Sequence, residues 1–486
     1  MKWNKFFLIA LLAGSLLALQ SCDKVKDFKG LNSNPNASTE PNTAALLTNV
    51  LSGIGNTVWG NGLAISGGLY CQFFSETQYT DASRYSTPTF NWDGYYSGSM
   101  QDLQNIIDYN TSKAATAYAN GDNANQIAIA RILKAYYYWI LTDSWGDLPY
   151  FDALKGNGTI KYDGQDKIYP DLIKELKEAV DQFVTPTIVF KGDILFSGDI
   201  SKWKKFANSM RLQMALMLSK KYPSAGGYAA LEFAAALNHA AGVMTTNSDN
   251  GALNFPGGVF NHPLYQYYNI TQRSDYAMSK TISDYMNGLN DNRNTIFGSS
   301  TKGFPYGLDR TAALAWTSAN GDWSLVLASG NRTPSSPVVI FGAANVYLAR
   351  AEAAQMGWTT ENVANMYALG IQRNWEQWGV YNATAFSNYI AQAGVDLGAG
   401  SVKEKINTQQ WMAHYPSGTQ GWSLWRRTGF PVLSVAPNNN NTPIPRRFPY
   451  GPNEPQLNPA NYAPAAAAYA VSGVNNSQNA KIWWDQ

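Results

Sequence analysis

The stretch QIAIARILKAYYYWILTDSWGDLPYFDAL, residues 126–154, carries the strongest structural signal in this sequence. Its first part, residues 126–143, places large apolar side chains three and four positions apart, which is the spacing of one face of an α-helix. The side chains of this stripe are Ile129, Leu133, Tyr136, Tyr137, Ile140 and Leu141. Gly146 and Pro149 follow closely, and these residue types end helices. The stretch therefore predicts a buried helix that stops at a tight turn.

Helical spacing recurs along the chain, whereas the alternating pattern typical of strands is sparse. Further helical stripes occupy residues 168–184, 201–221, 343–358 and 361–380. An amphipathic helix must bury its stripe against a neighbour, and short turns produce antiparallel pairs. The pair at 343–379 is about the size of a tetratricopeptide (TPR) unit, near 34 residues. The sequence therefore predicts an all-α fold, a TPR-like helical scaffold.

Two segments differ in kind from the helical stretches. Residues from about 241 to 335 and from about 430 to 486 are rich in Gly, Asn, Ser and Pro. Long loops in a compact domain are usually functional or disordered. We expect residues 41–486 to form a single α-helical domain in which these segments are long irregular loop insertions.

The first residues have the pattern of an export signal. Lys2 and Lys5 precede an apolar run at 6–19, which is shorter than the roughly 20 residues of a membrane span. Such a run suits the hydrophobic region of a secretory signal. We expect residues 1–21 to form a signal peptide.

A cysteine follows the apolar run directly. The residues Leu19-Gln20-Ser21-Cys22 resemble a bacterial lipobox, in which the cysteine is acylated and becomes the mature N-terminus. Acyl chains contribute about 0.8 kcal/mol per buried CH₂ and anchor a protein without spanning the bilayer. We expect lipidation at Cys22 and a lipidated tether at 22–40. The alternative is an ordinary signal peptide with an unrelated cysteine.

Composition and motifs exclude several classes of function. Outside the signal, 34 basic and 34 acidic residues balance, which argues against nucleic acid as a partner. The three histidines are far apart and no HExxH or CxxC motif occurs, so no metal site is expected. No phosphate-binding glycine loop and no GxSxG elbow occur either. We therefore expect no cofactor and no catalytic residue, and Cys71 in GLYCQFF is interpreted as a buried thiol.

Several stretches, taken in order, resemble the SusD/RagB family of nutrient-binding outer-membrane lipoproteins of Bacteroidetes, and the SusD-like branch most closely. The similarity spans almost all of the chain after Cys22. The stretches are LNSNPNAST (31–39), ILKAYYYWILTDSWGDLPYFDAL (132–154), KYDGQDKIYPDLIKEL (161–176), SGDISKWKKFANSMRLQMALMLS (197–219), LNDNR (289–293), KGFPYGLD (302–309), NVYLARAEAAQMGW (345–358), INTQQWMAHY (406–415), WSLWRRTGFP (422–431), PRRFPYGPNE (445–454) and KIWWDQ (481–486).

This resemblance implies a TPR-like scaffold on the cell surface, lipid-anchored in the outer membrane. It implies a lid over a SusC-like TonB-dependent transporter that captures an oligosaccharide, or a peptide in the RagB type, and delivers it to the barrel. Such a role needs no enzyme activity. Two other classes stay open from the residues alone, namely a secreted glycan-processing enzyme and a purely structural surface protein.

In relatives the ligand site is built by aromatic residues on loops, which here implies two segments. Residues 78–91 and 304–324 supply the candidates Tyr79, Arg84, Tyr85, Tyr306, Trp316, Asn320, Asp322 and Trp323. Indole rings stack on sugar C–H faces, and Asn and Asp side chains bond hydroxyls. The alternative is that these aromatic residues pin their own loops.

The resemblance also implies structural roles. We interpret Trp145, Gly146, Asp147 and Pro149 as a tight turn that locks two helices. Arg426 and Arg427 are expected to form structural ion pairs with Glu454.

Overall fold

The computed structural model describes residues 40–60, 62–439 and 442–486. The predicted signal peptide, Cys22 and all but the last residue of the predicted tether lie outside the described residues. Thr43–Gln486 forms one structural unit.

Helices make up most of this part of the chain, as predicted. Those of eight or more residues are α1 (Thr43–Ile54), α2 (Gly62–Tyr70), α3 (Gln101–Ser112), α4 (Asn123–Trp145), α5 (Gln165–Gln182), α6 (Ile200–Met217), α7 (Tyr228–Leu237), α8 (Lys280–Gly288), α9 (Arg310–Ala319), α10 (Ala343–Gln355), α11 (Val363–Gln377), α12 (Ala383–Ile390), α13 (Val402–His414), α14 (Gly418–Thr428) and α15 (Pro459–Ala468). Short α-helical turns lie at Asp93–Tyr95, Ala114–Ala117, Pro263–Tyr265, Asn294–Phe297 and Glu454–Leu457. The remaining short turns, of 3₁₀ or π type, are Gly55–Thr57, Tyr96–Met100, Tyr118–Asn120, Leu218–Lys220, Asn247–Asp249, Gln266–Ile270, Ser329–Asn331 and Trp483–Asp485.

The strands in this part of the chain are short and form two antiparallel pairs. They are β1 (Phe74–Glu76), β2 (Gly251–Leu253), β3 (Tyr276–Met278) and β4 (Val338–Phe341). β1 pairs with β3, with Ser75 opposite Ala277. β2 pairs with β4 through an irregular register. Both pairs join residues far apart in sequence, so they fix the irregular segments to the helical body.

The quoted stretch forms the central helix of the fold. α4 is buried along almost its whole length and packs against α3 and α5. α5 then packs on α6, and α6 on α7. α10 and α11 pack closely through a short connection, which is the helical pair that the sequence predicts at 343–379. The fold is therefore a TPR-like all-α scaffold with irregular insertions, as predicted.

The turn after α4 is held by a residue from the far end of the chain. Gly146 has φ +87°, and a Cβ placed on it would lie 2.3 Å from the hydroxyl oxygen of Tyr469. That hydroxyl donates to Asp147 Oδ1 (2.9 Å) and accepts from the Asp147 amide (3.1 Å). Trp145 is fully buried and its indole N–H donates to the carbonyl of Pro449 (2.9 Å). The turn locks two helices, and it also binds the C-terminal region.

The predicted ion pairs of Arg426 and Arg427 with Glu454 are wrong. Arg427 pairs with Glu352 of α10 at 2.6 Å, and both side chains are buried. Arg426 stacks on Trp422, with its guanidinium carbon 3.8 Å from the ring centroid. Glu454 instead accepts a hydrogen bond from the hydroxyl of Tyr162. The Arg-Arg sequence does not reveal which carboxylate the fold brings to it.

Replacement of Gly146 by Ala should destabilise the protein strongly. The positive φ costs an L-residue about 1–2 kcal/mol, and the overlap with Tyr469 adds about 1–3 kcal/mol. Gly156 is the matched control, because its φ is +78° and no atom lies within 4 Å of a Cβ placed there. Urea unfolding should give a larger loss of unfolding free energy for Gly146→Ala than for Gly156→Ala. Equal losses would contradict the close contact with Tyr469.

Candidate functional site

The two segments predicted to bind ligand lie side by side although about 230 positions separate them in the sequence. The guanidinium of Arg310 lies over the ring of Tyr79, 5.5 Å from its centroid. Tyr79 is 55% exposed, so its ring is available to a ligand. Arg84 is held against the loop, since it donates to Asp81 Oδ1 (2.6 Å) and to the carbonyl of Thr80 (3.2 Å).

Tyr85 and Tyr306 point inward, contrary to the expectation that they face a ligand. Tyr85 is 4% exposed. Its hydroxyl accepts from the Ala436 amide (2.9 Å), and its carbonyl accepts from Gln478 Nε2 (2.8 Å). The hydroxyl of Tyr306 is also buried. Burial raises the pKa of both phenols. These two residues pack the loops against the body.

The rings of Trp316 and Trp323 both contact a third aromatic residue, Phe304. Trp316 lies on α9, so the expectation that residues 304–324 form only a loop is wrong. Asp309 caps this helix, because its side chain accepts from the amide of Ala312 (2.9 Å). Both indoles meet the buried ring of Phe304 edge-on, with centroids 4.6 and 5.6 Å away. This contact supports the alternative in which the two tryptophans pin their own segment, and both indoles are only partly buried.

The two polar candidates of the same segment are also engaged within it. Asn320 Nδ2 donates to the carbonyl of Trp316 (2.8 Å) at the end of α9. Asp322 pairs with Lys302 at 2.8 Å, and this hydrogen bond lowers the pKa of the Asp322 carboxyl. The Lys302 ammonium in turn lies 5.7 Å from the ring centroid of Trp316. The segment is therefore stabilised by its own side chains.

A buried carboxyl group fixes the start of the Tyr79 loop. Glu76 in β1 is 5% exposed, and its Oε2 accepts from the amide of Ser83 (2.7 Å). Burial is the main reason why the pKa of Glu76 rises from 4.5 to about 7, and Asp81 adds to the rise. The amide of Thr77 donates to the carbonyl of Asp275 (2.8 Å), which ties the loop to β3.

The structure also has a cleft that the sequence did not predict. Its volume is about 650 Å³. It lies between the end of α1, the turns at 93–100 and the segment 255–271. Its lining side chains include Asn49, Ser52, Asn56, Trp59, Ile65, Ser99, Phe255, Val259, Phe260, Asn261, Pro263, Gln266, Tyr267 and Thr271. The size is typical of a ligand site.

One rim of the cleft presents apolar side chains to solvent. Gly257 and Gly258 have φ of +81° and +71°, and the amide of Gly257 donates to the carbonyl of Phe260 (3.0 Å). This tight turn holds Val259 92% exposed and Phe260 55% exposed. Large exposed apolar groups beside a polar cleft mark binding surfaces. The signal in the sequence was a Gly-Gly pair between apolar residues in FPGGVFNHP.

The floor of the cleft is rigid, and none of the described residues that line it has a charged side chain. Trp59 is buried and meets Phe74 edge-on at 4.6 Å and Tyr267 at 6.1 Å. Tyr267 is oriented by its hydroxyl, which donates to Asp275 Oδ2 (2.9 Å). Amides and hydroxyls supply donors and acceptors without charge. The cleft therefore suits a neutral ligand that offers both a flat apolar face and hydroxyl or amide groups.

Neither a metal site nor a membrane span emerges from this part of the chain. Among residues 40–60, 62–439 and 442–486, no three His, Cys, Asp or Glu side chains gather as metal ligands would. No helix in the same ranges combines the length and the apolar character needed to cross a bilayer.

Residues 35–451 match a family model described as starch-binding proteins associating with the outer membrane, SusD-like. The chain belongs to this SusD-like family. The family is described by starch binding in association with the outer membrane, and its members are binding proteins without catalysis, so the chain belongs to a family of binding proteins and not of enzymes.

Solved structures agree with this assignment over most of the chain. A chitin-binding protein is 27% identical with a TM-score of 0.78, and the match covers 92% of this chain and 100% of that one. A SusD homologue from Parabacteroides distasonis has 22% identity and a TM-score of 0.78, covering 92% and 98%. A chitin-binding SusD homologue from Flavobacterium johnsoniae has 23% identity and a TM-score of 0.74, covering 91% and 98%. No curated protein matches the sequence.

Replacement of Trp316 or Trp323 by Ala should reduce stability and leave ligand affinity unchanged. Each ring is partly buried against Phe304, so each change should cost about 1–2 kcal/mol. Thermal unfolding and calorimetric titration on the same variants separate the two effects. Leu314→Ala on the same helix is the control, since Leu314 is 43% exposed. A loss of affinity at an unchanged melting temperature would restore a stacking role for the tryptophans.

Glu76 should make stability depend on pH. The folded protein keeps the buried carboxyl protonated up to about pH 7, whereas the unfolded chain releases that proton above about pH 4.5. Stability should therefore fall as pH rises through this window, by at most about 3 kcal/mol. In Glu76→Gln this decrease should be absent, so the variant should become the more stable protein near pH 8. Urea unfolding from pH 4.5 to 8 measures the free energy of unfolding of both proteins, and Glu404→Gln, at an exposed site, is the control. If the unfolding free energies of wild type and Glu76→Gln change in parallel with pH, Glu76 is not the group responsible.

Proposed function

We propose that the protein is a cell-surface lipoprotein that captures an oligosaccharide and delivers it to a SusC-like TonB-dependent outer-membrane transporter. Lipid on Cys22 anchors it, and residues 22–40 connect that anchor to the domain. The observation that carries the capture step is the uncharged cleft of about 650 Å³ with the exposed ring of Phe260 on its rim.

The chemistry of this cleft favours a sugar over a charged ligand. Sugar rings present C–H faces that stack on aromatic rings, and their hydroxyls both donate and accept hydrogen bonds. Asn56 and Gln266 are exposed side chains in the lining and can meet such hydroxyls. Relatives of the same fold bind chitin, which is also neutral. Of the residues expected from the sequence, Tyr79 keeps an exposed ring and is proposed as an additional contact.

The other candidate ligands and roles predict different results in glycan and peptide binding screens. A RagB-type peptide lid would bind peptides and ignore glycans. A structural surface protein would bind neither. A glycan screen and a peptide screen on the full chain in detergent therefore decide among these roles.

Phe260→Ala should weaken glycan binding without loss of stability. Loss of one stacking ring should cost about 1–3 kcal/mol, or about 5- to 150-fold in affinity. The melting temperature should hold, because more than half of the side chain is exposed. Val189→Ala, at a site 75% exposed outside the cleft lining, is the control. Calorimetry with maltotriose and with chitotriose measures the effect, and unchanged affinity would move the search to Tyr79 and Arg310.

Cys22→Ala should release the protein from membranes. Without the thiol no acyl chain can attach, and the domain then lacks its anchor. Fractionation and labelling with a fatty-acid analogue should show loss of both membrane association and label. A variant that still sediments with the outer membrane would disprove the lipid anchor.

A further inference from the structure

A second cleft of about 640 Å³ lies on another part of the body. It is bounded by residues 87–89, 449–452 and 471–479, together with Tyr462 of α15. It shares no lining residue with the first cleft. Nothing in the proposed capture step uses it.

The second cleft has the same chemical character as the first. None of the described residues in its lining has a charged side chain, so it offers no countercharge to a phosphate, a carboxylate or an ammonium group. Pro88, Pro449 and Pro452 supply flat C–H surfaces, and the rings of Tyr450 and Tyr462 meet edge-on at 6.2 Å. The polar lining consists of hydroxyls and amides alone, on Thr87, Thr89, Ser472, Asn475, Asn476, Ser477, Gln478 and Asn479.

Hydrogen bonds hold one wall in place. Asn476 Oδ1 accepts from the amide of Tyr450 (2.8 Å) and from Arg447 Nη1 (2.9 Å), while Asn476 Nδ2 donates to the Tyr450 carbonyl (3.2 Å). The carbonyl of Gln478 accepts from the amides of Arg446 (2.8 Å) and Arg447 (3.1 Å). A wall fixed in this way loses little entropy when a ligand binds.

The same wall contains acceptors that the described residues leave unused. Gln478 Nε2 is engaged by the carbonyl of Tyr85 (2.8 Å), which fixes the amide orientation, yet Gln478 Oε1 is buried with no partner. Asn479 Oδ1 is likewise buried with no partner among the described residues. Buried polar groups are nearly always hydrogen-bonded. Both acceptors lie inside the wall and not on the surface of the cleft, so a buried water molecule within the wall is the group that completes them.

We propose that this cleft is a second binding site for neutral carbohydrate. The ligand class rests on the proposed function, whereas the site itself rests on the geometry of residues 449–479. Two sites on one body raise the affinity for a long glycan, because the second contact becomes intramolecular once the first has formed. The protein would then hold a polymer at two points before it passes the chain to a transporter.

Binding stoichiometry tests the proposal directly. Calorimetry on the full chain in detergent, with maltotriose and chitotriose as probes, should give two sites per molecule for one probe. Tyr462→Ala removes a ring from the second cleft and should weaken that site about 5- to 150-fold. Asn475→Trp fills the cleft from an exposed rim position and should leave one site. Phe260→Ala should weaken the first site about 5- to 150-fold and leave the second unchanged, and its combination with Asn475→Trp should leave only that weakened first site. Tyr381→Ala, 39% exposed and outside both linings, should keep both sites.

The possible outcomes separate this proposal from the proposed function. A single site that Phe260→Ala weakens and Asn475→Trp leaves unchanged would overturn the second site and keep the first. A single site that Asn475→Trp abolishes would support the second cleft and overturn the first. Two sites that survive both Tyr462→Ala and Asn475→Trp would overturn the placement. Binding of neither probe would overturn both proposals together.

Discussion

A buried carboxylate at the end of α4 connects the distant parts of this protein. Asp143 Oδ1 accepts from the hydroxyl of Tyr169 (2.5 Å) in α5 and from the indole N–H of Trp484 (2.8 Å) at the C-terminus. Burial raises the pKa of Asp143 to about 6, and the nearby charge of Arg426 opposes that rise. Such a group is tolerated inside a protein only when partners surround it, so α4, α5, α14 and the last residues must assemble together.

The C-terminal residues are therefore part of the core and not an irregular appendage. Trp484 is fully buried, and the guanidinium carbon of Arg426 lies 5.0 Å from its ring centroid. Asp485 is buried next to it and forms ion pairs with Lys220 and Arg446. The segment that returns toward α4 carries Pro449 and Tyr450, so the wall of the second cleft is built directly on this network. The contacts that hold the C-terminal residues in the core therefore also hold the wall of the second cleft in place.

Both clefts place rigid aromatic and proline surfaces beside uncharged polar groups. Trp59 and Tyr450 are fixed by the core, whereas Phe260 and Tyr462 stand nearer to solvent. A surface of this kind binds by shape, stacking and hydrogen bonds, which is the chemistry of glycan capture without catalysis. This type of binding surface agrees with the family to which the chain belongs, which is described as starch-binding.

The sequence by itself determined the helical class and the buried stripes, because helix periodicity is local and can be read from neighbouring residues. It also determined the tight turn after α4 and the family, from motifs that keep their order. It could not determine the cleft at Phe260, since its walls come from segments more than 150 positions apart. For the same reason it placed Tyr85 at a ligand surface, although the fold buries this side chain in the core. Only tertiary structure decides which face of an aromatic ring meets protein and which meets solvent.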